Sequence, residues 1–135
     1  MPRYLFTYGT LLPEHAPAEI AEVVHRLRRV GSGAVGGHLY DLGEYPGAIL
    51  DRSSGKKISG AVFQLPDDPA VLQKLDAYEG FRPSMRRSSL FVRTRCPVTM
   101  KNGNKLQCWI YVYNGKPAAP QIIANGRYSK KRTKA

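Results

Sequence analysis

The sequence predicts one α/β (α+β) unit built on a closed or strongly curled sheet, and three observations lead there. The chain has 135 residues, the length of a single domain with a real core. Segments of two-residue apolar period are interleaved with two segments of helical period. The last third holds a hairpin whose two faces are apolar on one side and aromatic on the other, so a flat sheet open to water on one face would not suit it.

Arg3-Tyr4-Leu5-Phe6-Thr7-Tyr8 is rich in β-formers and stops at Gly9, which reads as a first strand. A helix is expected from about Pro17 to Val30, with Ile20, Val23, Val24, Leu27 and Val30 as its apolar stripe and Arg26, Arg28 and Arg29 off it. The glycine-rich residues 31–37 then read as a turn from helix to strand, followed by strands at His38–Leu42 and Gly47–Leu50 around the Tyr45-Pro46 turn. Lys56-Lys57 leads into a strand from Ile58 to Leu65. A second helix follows with both ends marked: Asp68 can cap it, Pro69 suits its first position, and Gly80 suits the left-handed residue past its end.

In the final hairpin the even positions Leu90, Val92, Thr94, Cys96, Val98 and Met100 face the same way as Leu106, Cys108, Ile110 and Val112. Matching these faces pairs Val98 with Leu106, Cys96 with Cys108 and Thr94 with Ile110, leaving Lys101-Asn102-Gly103 as the loop. The odd face carries Phe91, Arg93, Arg95, Trp109, Tyr111 and Tyr113. The two cysteines are read as buried free thiols in a reducing compartment.

A formal charge of +11 suggests nucleic acid, an acidic surface, or a basic appendage. Arg127, Lys130, Lys131, Arg132 and Lys134 account for five of those charges, so without residues 127–135 the chain falls to +6. The reading is a domain over residues 1–128 and a basic, disordered tail over 129–135, with nucleic acid bound only weakly through that tail. No segment approaches the ~20 apolar residues of a membrane span, and the N-terminus lacks a signal peptide's layout. Cytoplasmic is the default location.

Most catalytic motifs fail on context. Gly31-Ser32-Gly33-Ala34-Val35-Gly36 matches a dinucleotide fingerprint by letter, but it lacks the strand-to-helix setting that the mechanism needs. The histidines and cysteines have no metal-ligand spacing, and the serines no nucleophile elbow. No cofactor and no metal are expected. Two features remain. Tyr8-Gly9-Thr10-Leu11 runs from a strand into a glycine turn, where backbone N–H groups can converge on an anion. Glu79 shares a helix face with Leu72 and Leu75, at the helix end whose dipole disfavours negative charge. An inward carboxyl there has its proton affinity raised by burial and dipole together, as proton-transfer catalysis requires.

With Tyr8-Gly9-Thr10-Leu11, Tyr45-Pro46-Gly47-Ala48, Leu75-Asp76-Ala77-Tyr78-Glu79-Gly80-Phe81, Trp109-Ile110-Tyr111-Val112-Tyr113 and Ile123-Ala124-Asn125-Gly126-Arg127-Tyr128 in this order, the chain resembles the γ-glutamylcyclotransferase superfamily, in its AIG2-like branch. One departure is Phe91-Val92-Arg93, where that family commonly shows Tyr-x-Arg. The resemblance implies a small mixed β-barrel flanked by helices, with its site at the barrel mouth. It implies release of an amine from a small γ-glutamyl substrate with formation of 5-oxoproline. Glu79 would be general base and acid, and Tyr8, Gly9, Thr10 and Leu11 would bind substrate. Gly47 and Arg93 are further candidate substrate contacts. Arg82, Arg86 and Arg87 suggest a basic lip selecting acidic leaving groups. The rival reading is a catalytically silent binding module, for a small ligand or nucleic acid, on the same fold.

Overall fold

The computed structural model describes residues 2–9 and 16–128. The elements run β1 (Tyr4–Thr7), α1 (Ala18–His25), β2 (Arg28–Asp41), β3 (Pro46–Leu50), β4 (Lys57–Gln64), α2 (Pro69–Glu79), β5 (Phe91–Met100), β6 (Lys105–Tyr113) and β7 (Ile122–Ile123). β1, β4, β2, β3 and β6 pair in that order, and β6 returns to β1 with Tyr4 opposite Cys108 and Leu5 opposite Trp109. The result is a closed barrel in which antiparallel pairs are joined by the parallel contacts β1–β6 and β3–β6. β5 lies on the other edge of β6 and reaches β2 at Gly33 and Ala34. Closure leaves the ring strands no open edge to template aggregation. No helix among the described residues is long and apolar enough to cross a membrane.

Two apolar layers follow from the strand alternation. Inside the barrel, Phe6, Leu39, Ala48, Ile58, Val62, Val98, Cys108 and Ile110 pack together. Outside it, Leu5, Phe63, Phe91 and Tyr111 meet Ile20, Val23 and Val24 of α1 and Val71, Leu75 and Phe81 at α2. The hairpin has the expected register, with Cys96 opposite Cys108 and Val98 opposite Leu106, and Gly103 takes φ +91 in its loop. Both thiols are free and buried, which pushes Cys96 up to about 11 and Cys108 to about 12. The odd face of the hairpin is covered by α2, so both sides of the ribbon are used. Leu90 is the exception: it precedes the strand and is exposed.

The first helix is shorter than its apolar stripe suggests. α1 ends at His25, and β2 begins at Arg28, so Val30 lies in a strand and is exposed. Residues 31–37 are not a turn but the middle of the longest strand. Their glycines permit close approach: a Cβ at Gly33 would sit 2.7 Å from Val98 Cγ1. Arg26, just past the helix end, donates through Nη1 to Asp68 Oδ2 at 2.8 Å.

Candidate active site

α2 forms as its caps require. The Asp68 carboxylate accepts from the Ala70 N–H at 3.0 Å, and Gly80 takes φ 72, ψ 30, a left-handed conformation that ends the helix. Leu75 is fully buried, and Glu79 one turn later on the same face reaches a cavity of about 440 Å³. The end of β1 supplies Phe6, Thr7, Tyr8 and Gly9 to that cavity. The β2–β3 turn supplies Glu44, Tyr45 and Pro46, and Pro17, Tyr78, Leu90, Phe91 and Tyr111 complete the wall.

Glu79 is half-buried because it lines the cavity, yet its carboxyl is largely removed from water. Burial pushes its pKa up to about 8. At neutral pH it therefore holds its proton unless a cation approaches. Tyr8 and Tyr111 are raised far above the ordinary phenol range, first by burial. The neighbouring Glu79 adds to the rise in both, and in Tyr111 the Asp76 hydrogen bond also contributes. Both phenols stay neutral.

A buried polar network backs this wall. The Tyr8 hydroxyl donates to the Tyr111 carbonyl and accepts from the Ala48 N–H at 3.2 Å. The Tyr111 hydroxyl donates to Asp76 Oδ1 at 2.7 Å. Arg93 closes on the same carboxylate through Nε at 2.8 Å and Nη2 at 3.2 Å, and its guanidinium lies 4.2 Å from the centre of the Trp109 ring. The fork-to-carboxylate geometry holds both charges where neither is free to move.

Of the residues singled out from sequence, Tyr8, Gly9 and Glu79 come together at the cavity. Thr10 and Leu11 lie outside the described residues. Gly47 sits behind the wall, where a Cβ would come within 2.6 Å of Leu42 Cδ1; its neighbours Tyr45 and Pro46 line the cavity. The two glycine motifs touch, since a Cβ on Gly9 would meet Pro46 Cγ at 2.7 Å. Arg93 does not line the cavity and is committed to Asp76. The arginines of the expected lip are absent from the lining too, and among the described residues an exposed charged residue of the lining is Glu44. Phe91 is buried with its ring between Tyr45 and Tyr113, at 5.9 and 5.7 Å between centroids.

Asp76 and Thr7 were missed in the sequence, although each carried a signal. Asp76 follows Leu72 by one turn on the inward stripe, the same argument that identified Glu79. Thr7 alternates with Leu5 on β1, so the two share a face.

The family model for gamma-glutamyl cyclotransferase, AIG2-like proteins matches residues 5–130. Among curated proteins none matches. An AIG2-like protein from Mus musculus is similar in structure with a TM-score of 0.72 at 20% identity, over 95% of this chain and 88% of that one. YkqA from Bacillus subtilis gives a TM-score of 0.69 at 20% identity over 95% of this chain, which spans only 40% of YkqA. A structure described as gamma-glutamyl cyclotransferase gives 0.62 at 17% identity, over 84% of this chain and 67% of that one. These likenesses speak to the barrel. The family match covers nearly the whole sequence, and the chain belongs to the gamma-glutamyl cyclotransferase, AIG2-like family.

Proposed function

We propose that this chain is a γ-glutamylcyclotransferase-like enzyme that releases an amine or amino acid from a γ-glutamyl compound and forms 5-oxoproline. The observation that carries the reading is Glu79, a carboxyl group lining the cavity with its pKa pushed up to about 8 by burial. The substrate's α-ammonium would enter beside it, lower its proton affinity and bring donor and acceptor into balance. The α-nitrogen then attacks the γ-carbonyl carbon, and the bond from that carbon to the departing nitrogen breaks. Two protons pass from the α-nitrogen to the leaving nitrogen, with Glu79 accepting and returning them, so no water is consumed.

Attack within one molecule already has a large effective-molarity advantage, and the protein's task is to fold the substrate into an attacking pose. Backbone N–H groups from Tyr8 to Leu11 would hold the α-carboxylate, with Tyr8 and Gly9 already at the cavity. Arg93 enters this scheme through Asp76, as a brace for α2 rather than as a substrate ligand. Gly47 enters through the room it gives the Tyr45-Pro46 turn.

The test is Glu79→Gln, assayed for 5-oxoproline release from a panel of γ-glutamyl amines and peptides. Turnover is expected to fall by at least roughly 10²-fold, the scale of lost acid–base catalysis, with the fold and ligand binding kept. Near-normal turnover by the variant would remove Glu79 from the reaction.

A further inference from the structure

Thr7 is 2% exposed, and its hydroxyl has no hydrogen-bond partner among the described residues. A buried hydroxyl left in that state costs free energy that a valine of the same shape would not. The position is also part of the cavity wall. On β1, Leu5 and Thr7 point the same way, and Leu5 packs in one cluster with Leu75 of α2. From that cluster, α2 steps one turn to Glu79 and β1 steps two residues to Thr7. Both steps end at the cavity. Glu79 and Thr7 thus reach the cavity wall over the same apolar floor, one from a helix and the other from a strand.

Resting on the function proposed above, we infer that the Thr7 hydroxyl is the second protein ligand of the substrate's α-ammonium, accepting one N–H while Glu79 takes another. A hydroxyl oxygen has two lone pairs for this purpose, and an ammonium has three N–H groups to place. A cation is favoured at this corner, because its approach lowers the proton affinity of Glu79 and draws out the carboxylate. Two fixed acceptors leave the α-nitrogen little rotational freedom. Once Glu79 has taken its proton, the lone pair is held in one direction, toward the γ-carbonyl.

The test uses the full chain with Thr7→Val and Thr7→Ser, and two ligands: a γ-glutamyl amino acid and its glutaryl analogue, which lacks the α-amine. Thr7→Val is expected to melt at or above the wild-type temperature without ligand, because an unpaired buried hydroxyl is gone. Its kcat/KM should fall roughly 10- to 100-fold, the worth of a hydrogen bond to a charged group, and Thr7→Ser should recover most of it. Binding of the γ-glutamyl ligand should weaken in Thr7→Val, while binding of the glutaryl analogue stays as in the wild type. Equal loss for the two ligands, or a serine variant as impaired as the valine one, would overturn the assignment. Full activity in Thr7→Val would overturn it while leaving the role of Glu79 standing. If the wild type binds but does not turn over, the enzymatic reading fails and the two-ligand comparison still decides Thr7.

Discussion

Replacing Glu79 by Gln should make the protein more stable, by an amount that grows from nothing near pH 4.5 to its full value above pH 8. A carboxyl carried from an ordinary 4.5 to about 8 is favoured by the fold in its protonated form. Below pH 4.5 the group is protonated whether the chain is folded or not, so it contributes its full share there. As pH climbs toward 8 the unfolded chain gives up the proton and the folded one resists, and that share is lost. At 1.4 kcal/mol per tenfold, the shift sets a ceiling of about 5 kcal/mol. Glu79 is half-buried at a cavity that admits solvent, so roughly 1–3 kcal/mol should reach the unfolding equilibrium. Glutamine has the same shape and no charge at any pH. For a domain of this size the variant should melt about 5–10 °C above the wild type at pH 9, and level with it near pH 4.5. Thermal unfolding of both proteins across that range measures the difference, in which the other titrating groups cancel. A difference that does not change with pH would show that the carboxyl titrates normally and that the reasoning from burial is wrong.

The rate should carry the same signature, with the acidic limb of kcat/KM near pH 8 in the free enzyme. In kcat the limb should lie lower, because the bound ammonium favours the carboxylate; a limb at pH 4–5 in both would mean an ordinary, solvated acid. Asp76→Ala should cost about 3–5 kcal/mol in urea unfolding, since it leaves Arg93 buried without its partner, whereas Asp76→Leu combined with Arg93→Met should cost far less. If the double variant is as unstable as the single one, the ion pair is not what Asp76 provides. Removing residues 129–135 takes away Lys130, Lys131, Arg132 and Lys134 and lowers the formal charge from +11 to +7. Nonspecific nucleic-acid affinity should then weaken and its salt slope drop by about 3; an unchanged slope would place the contact on the barrel.

Where local chemistry decides structure, the sequence was readable. The hairpin register followed from matching faces, and α2 from a capping Asp68, a first-turn Pro69 and a left-handed Gly80. Glu79 could be recognised as inward because helix periodicity is a local property. The misreading of residues 26–37 has a different origin. Val23 to Val30 has a helical pattern, but Arg28–Gly36 pairs along β4 with one irregularity, at Val30, and pairing with a distant strand outweighs local preference. Glycines that look like a flexible connection are there because another strand passes close to them. Nothing within residues 31–37 reveals Val98 as that neighbour. The partner of Arg93 was out of reach of local reasoning for the same reason, since Asp76 comes from a separate element. The acidic rim at Glu44 likewise depends on how the β2–β3 turn folds over the mouth.

The phenol of Tyr8 and the carbonyl it meets on Tyr111 are 103 residues apart in the chain. Between them lies almost everything the ribosome must make before the wall can close. A nascent chain that has extruded α2 already carries Glu79, yet it has no chamber around it until the sixth strand arrives and docks beside the first. Messages truncated ahead of that strand would therefore yield a polypeptide that carries Glu79 without the wall opposite it.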